Sequence, residues 1–172
     1  MPKVGFLAVI FKEKFSDKNV ERLIKDYRLG KPKLIQRPHG EYTISKTLSL
    51  LKEKNNVLWG HICRSGKSYI MAGMIDEYAK LRGQTKIFLI MTTSPTSTID
   101  QYLNVFYSFS NFADFNIVHL ENENREINPI IEGKCNVLIA SLQFLRWKIN
   151  EEEREIKWLK DLKISLRFMN RP

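Results

Sequence analysis

Apolar residues are arranged along the chain in two alternating patterns. Short runs of consecutive apolar residues predict strands that are covered on both faces of a sheet. Segments in which apolar residues return every three or four positions predict helices. The predicted strands lie at residues 4–11, 56–59, 86–91, 115–120, 135–141 and 163–169. The predicted helices lie at residues 16–27, in 34–55 after a loop with Pro38 and Gly40, at 68–81, from near Pro95 to 109, and at 151–162.

This order of elements predicts an α/β fold. Buried strands separated by helices form a layered, mostly parallel sheet, and the ligand site of such a sheet lies at the carboxyl ends of its strands. A chain of 172 residues is long enough for one domain with a sizeable core and too short for two full α/β domains.

Composition narrows the class of protein. No apolar run approaches the roughly 18 residues that a membrane helix needs, so no membrane partner is expected. The chain has only two cysteines, which favours a reduced, intracellular location. Neither these cysteines nor the three histidines have the spacing of a metal site. The net charge is +9, and residues 1–70 hold 15 Lys/Arg against 6 Asp/Glu. That excess suits a polyanionic partner, although a solvated basic surface explains it equally well.

The stretch "WGHICRSGKSYIMAG" at residues 59–73 has the order of a phosphate-binding turn. It follows a predicted strand and opens a predicted helix, whose N-terminal N–H groups attract anions. Gly66 allows close backbone approach, Lys67 neutralises phosphate, and the Ser68 hydroxyl suits a magnesium shell. The strict G-x-x-x-x-G-K-[ST] pattern is not met, because Gly60 lies one position too early. An anion-free structural turn is the alternative.

Four stretches together resemble successive motifs of the first motor domain of superfamily-two helicases, in the branch common in large DNA viruses. They are "LIQRPHGEYTISKTLSLL", "VLWGHICRSGKSYIMAGMI", "IMTTSPTSTIDQYLNVF" and "VLIASLQFLR". In that branch the phosphate loop is typically W-G-x-x-x-R-S-G-K-[ST]-Y, which "WGHICRSGKSY" matches. The resemblance covers about residues 34–148.

The resemblance implies a three-layer RecA-like P-loop domain that binds ATP and Mg²⁺ and acts on DNA or RNA. By position in the motifs, the ATP site comprises Arg37, Gly60, Arg64, Ser65, Gly66, Lys67 and Ser68, with Ser68 reaching Mg²⁺ through ATP. The nucleic-acid backbone is expected at Thr92, Thr93, Pro95, Ser141 and Gln143. Alternatively, Thr93 and Ser141 simply cap the helices that follow them.

The chain departs from the family pattern in two places. Gly40 stands where the family has a glutamine that recognises adenine. In addition, no Asp-Glu pair follows an apolar strand, although hydrolysis of this kind needs one carboxylate for magnesium and one for water. No catalytic residue is therefore assigned. The chain is expected to hold an extension at 1–33 and an incomplete helicase ATP-binding domain at 34–172, shortened by truncation or a frameshift.

The expected function is that of the N-terminal portion of an ATP-dependent helicase, which binds ATP at residues 60–68 and hydrolyses it poorly alone. The virion or the host cytoplasm is the expected location. Three alternatives stay open: a basic nucleic-acid-binding module without turnover, a small P-loop phosphotransferase, and a decayed helicase fragment that does not fold stably.

Overall fold

The computed structural model describes residues 17–83, 86–93, 97–121 and 128–146. The helices are α1 (Asp17–Leu29), α2 (Pro38–Leu50), α3 (Lys67–Arg82), α4 (Ser97–Ser108), a 3-10 turn (Ser110–Phe112) and α5 (Leu142–Arg146). The strands are β1 (Ile87–Thr92), β2 (Asn116–His119) and β3 (Asn136–Ser141). The strands predicted at 4–11 and 163–169 and the helix predicted at 151–162 lie outside the described residues.

The three strands form one parallel sheet in the order β1-β3-β2. Thr92 at the end of β1 lies opposite Ser141 at the end of β3, so the carboxyl ends of these strands share one edge. Strand β1 follows α3, and β2 follows α4 and the 3-10 turn, whereas residues 122–127 between β2 and β3 lie outside the described part of the chain. The predicted α/β class with parallel strands is confirmed.

Strand β3 is the centre of the core, because all six of its residues are buried. Val137 and Ile139 belong to the larger apolar cluster, which includes residues from α3 and α4. Leu138 and Ala140 belong to a second cluster that includes Phe144 of α5. Successive side chains of a strand point to opposite faces, so the sheet has helices on both sides.

Helix α3 runs against the direction of β1. Tyr78, in the second half of α3, contacts Phe88 near the start of β1 with ring centroids 5.9 Å apart. Because the helix therefore ends beside the start of β1, its N terminus points toward the carboxyl side of the sheet. This orientation puts the turn at residues 60–66 on the side where a parallel sheet binds ligands.

The strand predicted at residues 56–59 is wrong. Residues 56–60 belong to no helix or strand. Val57 and Trp59 are half-buried, whereas Leu58 between them is 95% exposed. The alternation of a strand is present, but one face packs on α2 and the backbone has no neighbouring strand among the described residues. A strand needs a hydrogen-bonded neighbour, which an apolar run alone does not provide.

One helix boundary also differs from the prediction. The loop expected at Pro38 and Gly40 is instead the first turn of α2, with Pro38 at a position where its missing N–H has no cost. Gly40 is buried inside that turn. Helix α4 begins at Ser97, while Pro95, where a helix start was expected, lies outside the described residues.

Helix α1 is attached to the domain by cations. Lys25 pairs with Asp114 at 2.6 Å. The Arg28 guanidinium lies over the Tyr107 ring, 4.9 Å from its centroid, and Lys31 donates a hydrogen bond to the Tyr107 carbonyl. Burial lowers the pKa of Arg28. Helix α1 therefore packs against the end of α4 and the segment that joins α4 to β2.

A buried carboxylate extends this attachment to the segment before α2. Asp76 of α3 accepts hydrogen bonds from Lys80 Nζ at 2.9 Å and from Asn111 Nδ2 at 2.5 Å. The Asn111 side-chain oxygen in turn accepts from the Leu34 N–H at 2.7 Å. Asp76 thus fixes the start of residues 34–37, which lead directly into α2.

Replacing the buried Asp76 by alanine is expected to lower the free energy of unfolding by about 2–4 kcal/mol, because the half-buried Asn111 amide and the Lys80 ammonium lose their acceptor. Glu77→Ala is the matched control: Glu77 also pairs with Lys80, at 2.8 Å, but its side chain is 48% exposed against 8% for Asp76. That control should cost no more than about 1 kcal/mol. Urea unfolding of both variants measures the difference, and equal costs would contradict the anchoring role of Asp76.

Candidate functional site

The turn before α3 adopts a left-handed backbone at two positions. Gly66, which precedes the first residue of the helix, has φ 82°. Arg64 has φ 62° and is the one residue other than glycine with positive φ in the described chain. The Gly66 carbonyl accepts the first helical hydrogen bond, from Ile70 N at 3.0 Å. The sequence bends here because glycine adopts this conformation without steric cost and so lets the helix begin at Lys67.

Three features of this turn bear on whether it can bind an anion. A Cβ atom built on Gly66 would meet no atom within 4 Å. The Ser65 hydroxyl oxygen is buried and has no hydrogen-bond partner. The Lys67 ammonium donates to the Ile62 carbonyl at 3.0 Å, folding across the turn on an exposed side chain.

These features fit a phosphate group. A buried hydroxyl without a partner costs free energy that an acceptor oxygen would recover. The helix N terminus and the Lys67 ammonium both favour negative charge at the same place. Ser68, half-buried in the first turn of α3, is the residue whose hydroxyl could serve a phosphate-bound magnesium ion.

Helix α2 holds the segment that leads into the turn. His39 Nε2 lies 3.0 Å from the Ser65 carbonyl, and Thr43 Oγ1 lies 3.4 Å from His61 Nε2. One turn further along α2, the Thr47 hydroxyl accepts a hydrogen bond from the Trp59 indole at 2.8 Å.

Helices α2 and α3 approach closely around Gln36. Its amide nitrogen donates to the Tyr69 carbonyl at 2.8 Å. A Cβ at Gly73 would lie 2.3 Å from that nitrogen, and one at Gly40 would lie 2.8 Å from the amide oxygen. The two glycines therefore make the space that Gln36 fills, which explains the glycine at position 40.

The remaining predicted nucleotide-site residues lie at the margins. Arg37 is exposed and immediately precedes α2. It is linked to the turn through the neighbouring His39, so the structure brings Arg37 and the turn to one end of α2. Gly60 lies at the end of residues 56–60, and a Cβ there would also meet no atom within 4 Å.

Four of the five residues predicted to contact nucleic acid lie in the described part of the chain, at or just beyond the carboxyl edge of the sheet. Thr92 is buried at the end of β1, while Thr93 after it is exposed. The hydroxyl of Ser141 accepts from Phe144 N at 3.0 Å and so caps α5, the alternative that the sequence left open. Gln143 is exposed on α5. Pro95 lies outside the described residues.

Sequence reasoning missed the residues that hold the turn in place. His39, Thr43 and Thr47 lie four residues apart, which puts them on one face of a helix. That spacing was visible in the sequence. Their partners Trp59 and His61 were not foreseeable, because residues 56–59 were predicted to lie in the sheet.

Within the described ranges, no group of three or more His, Cys, Asp or Glu residues could hold a metal ion. No helix in the part of the chain that the structure describes has the length and apolar character needed to cross a membrane.

The family model of the type III restriction enzyme res subunit matches residues 33–164. No curated protein and no solved structure matches the chain. The matched segment includes α2, the turn, α3 and all three strands, and it begins after α1. It supports a RecA-like fragment with the parallel sheet described above. Because the match covers most of the chain, the protein belongs to the type III restriction enzyme res subunit family of superfamily-two helicase-like motor domains.

Proposed function

We propose that the chain binds ATP with Mg²⁺ through the phosphate loop, residues 60–68, as the nucleotide-binding part of a nucleic-acid motor. One observation carries the proposal: the buried Ser65 hydroxyl has no partner and lies in a left-handed turn at the start of α3. The family match supports a helicase-like motor of superfamily two. Membership in the large-DNA-virus branch stays a prediction from the amino-acid sequence of the loop.

The phosphate loop supplies attraction from several groups at once. Backbone N–H groups at the start of α3 and the Lys67 ammonium are directed to an anion, and Arg64 adds an exposed guanidinium beside them. Magnesium, when bound with ATP, neutralises phosphate charge, and Ser68 is the loop residue with a hydroxyl suited to it. Arg37 lies at the α2 end of the site and is proposed to face the rest of the nucleotide.

Binding and hydrolysis are expected to separate in this chain. The groups that attract phosphate all belong to residues 60–68. Hydrolysis needs a further pair of carboxylates, and the sequence has no Asp-Glu pair after an apolar strand. We therefore propose that the chain by itself binds MgATP and turns it over slowly.

For the nucleic-acid side, Thr93 and Gln143 are the better candidates. Both are exposed beyond the carboxyl ends of adjacent strands, where hydroxyl and amide groups position a phosphate backbone without reading its sequence. Thr92 is buried and the Ser141 hydroxyl already caps a helix. DNA and RNA are both compatible with backbone contacts of this kind.

Lys67→Ala is expected to weaken MgATP binding roughly tenfold to a hundredfold, because one charge-assisted hydrogen bond to phosphate contributes about 1.5–3 kcal/mol. Isothermal titration of the full chain measures the affinity. Lys52→Ala removes the same charge from an exposed site away from the loop and serves as the control. Equal affinities for wild type and Lys67→Ala would contradict the proposed site. Fast magnesium-dependent ATPase activity would contradict slow turnover.

Arg64 allows a test that separates an effect on stability from an effect on binding. A residue with a side chain costs about 1 kcal/mol in the left-handed region, and glycine does not. In urea unfolding, the free energy of unfolding of Arg64→Gly should therefore exceed that of Arg64→Ala by about 1 kcal/mol. Both variants should bind MgATP more weakly than wild type, because both lack the guanidinium. If the alanine variant were the more stable, the left-handed conformation at position 64 would be wrong.

The unequal charge distribution favours a second candidate function, a basic nucleic-acid-binding module. Binding of this kind should fall with rising salt, because released counterions drive it, and should survive Lys67→Ala. Fluorescence anisotropy with single-stranded DNA at several salt concentrations tests this candidate. Salt-independent binding, or binding abolished by Lys67→Ala, would exclude it.

A further inference from the structure

At three successive turns, helix α2 contacts the phosphate loop or the residue before it. His39, Thr43 and Thr47 face, in that order, the Ser65 carbonyl, the His61 ring and the Trp59 indole. The distances are 3.0, 3.4 and 2.8 Å. The loop segment therefore runs antiparallel to α2. We call the three α2 residues the α2 ladder.

The direction of the hydrogen bonds follows from the available protons. The Thr43 hydroxyl donates its only proton to the His39 carbonyl at 2.8 Å, so it accepts from His61 Nε2–H. The Ser65 carbonyl can only accept, so His39 Nε2–H donates to it. Each ring thus carries a proton on Nε2, and each contact joins a donor to an acceptor.

The ladder matters because the three described strands do not hold this segment. Residues 56–60 belong to no strand, so the described sheet gives their backbone no hydrogen-bonded neighbour. The turn that follows contains Arg64 in a left-handed conformation, which is unfavourable unless its surroundings impose it. Ordering a free loop at the moment of binding would reduce affinity. Side chains from α2 provide the constraint before any ligand arrives.

We propose that the α2 ladder holds the phosphate loop in its anion-binding conformation, with His39 and Thr43 as positioning residues. This inference depends on the proposed binding of nucleotide phosphates at residues 60–68. His39 acts through the Ser65 backbone and Thr43 acts through His61, so neither needs to touch the ligand. The class of ligand whose affinity they control is a polyphosphate, with or without a base.

The test compares MgATP with inorganic tripolyphosphate, which lacks base and ribose. His39→Phe keeps a ring and removes the donor, and Thr43→Val keeps the shape and removes the hydroxyl. Each should weaken binding of both ligands roughly three- to tenfold, the effect of one lost hydrogen bond. His39→Gln offers an N–H donor at a similar reach and should restore most of the affinity. Ser45→Ala removes an exposed hydroxyl of α2 and should change neither affinity.

Two outcomes would overturn the ladder. Unchanged affinities in both His39→Phe and Thr43→Val would show that the loop needs no help from α2. A loss confined to MgATP would mean that these residues act on the base or ribose. In either case a loss of affinity in Lys67→Ala would leave the proposed nucleotide site standing, so the two failures are distinguishable.

Hydrogen exchange without ligand gives an independent readout. The amides of Ser65 and Ile70 donate to the Ile62 and Gly66 carbonyls, at 3.4 and 3.0 Å. They should exchange faster in His39→Phe and Thr43→Val than in wild type and Ser45→Ala, while amides of β3 keep their rates. Unchanged exchange at residues 65 and 70 would contradict the proposal even if no ligand bound.

Discussion

The contact between α2 and the segment before α3 is the constraint on which the candidate site depends. In most parallel sheets a strand fixes the turn that follows it, through hydrogen bonds on both sides. Here residues 56–60 have no strand neighbour in the described structure, and the Trp59 indole and the Ser65 carbonyl are tied to α2 instead. The conformation of the turn thus depends on a few side-chain hydrogen bonds. Together they constrain the backbone less than the series of backbone hydrogen bonds along a paired strand.

This arrangement makes the position of α2 itself important. Apolar packing of Ile44 against Ile70 and Met74 joins α2 to α3. The Gln36 amide fills the gap that Gly40 and Gly73 leave between them. Further back, the hydrogen bonds from Asp76 through Asn111 to Leu34 fix the start of the same segment. The chain from residue 34 to α2 is thereby attached to α3 along much of its length, which limits the freedom of the loop.

The sequence predicted the elements whose signal is local. The 3.6-residue periods gave α1, α3 and α4, and consecutive apolar residues such as those at 137–140 gave a strand buried on both faces. Residues 56–59 show the limit of that reasoning. A run of apolar residues indicates burial, but a strand also needs a partner, and partners are set by distant parts of the chain. Gly40 was misread for the same reason: the packing of Gln36, invisible locally, explains it better than a loop does.

The candidate site likewise has one part that could be predicted from the sequence and one part that could not. The residues from Arg64 to Ser68 are contiguous, so their chemistry could be predicted from one short motif, and the structure adds the left-handed backbone of Gly66. The α2 residues His39 and Thr43 lie 26 and 18 positions before the residues they contact, Ser65 and His61, and make these contacts through single atoms. Strain at Arg64 links the two sets, because a residue persists in that conformation only where its neighbours enforce it. A sequence motif that matches a phosphate loop is therefore only part of a site, and in this chain the other part lies on α2.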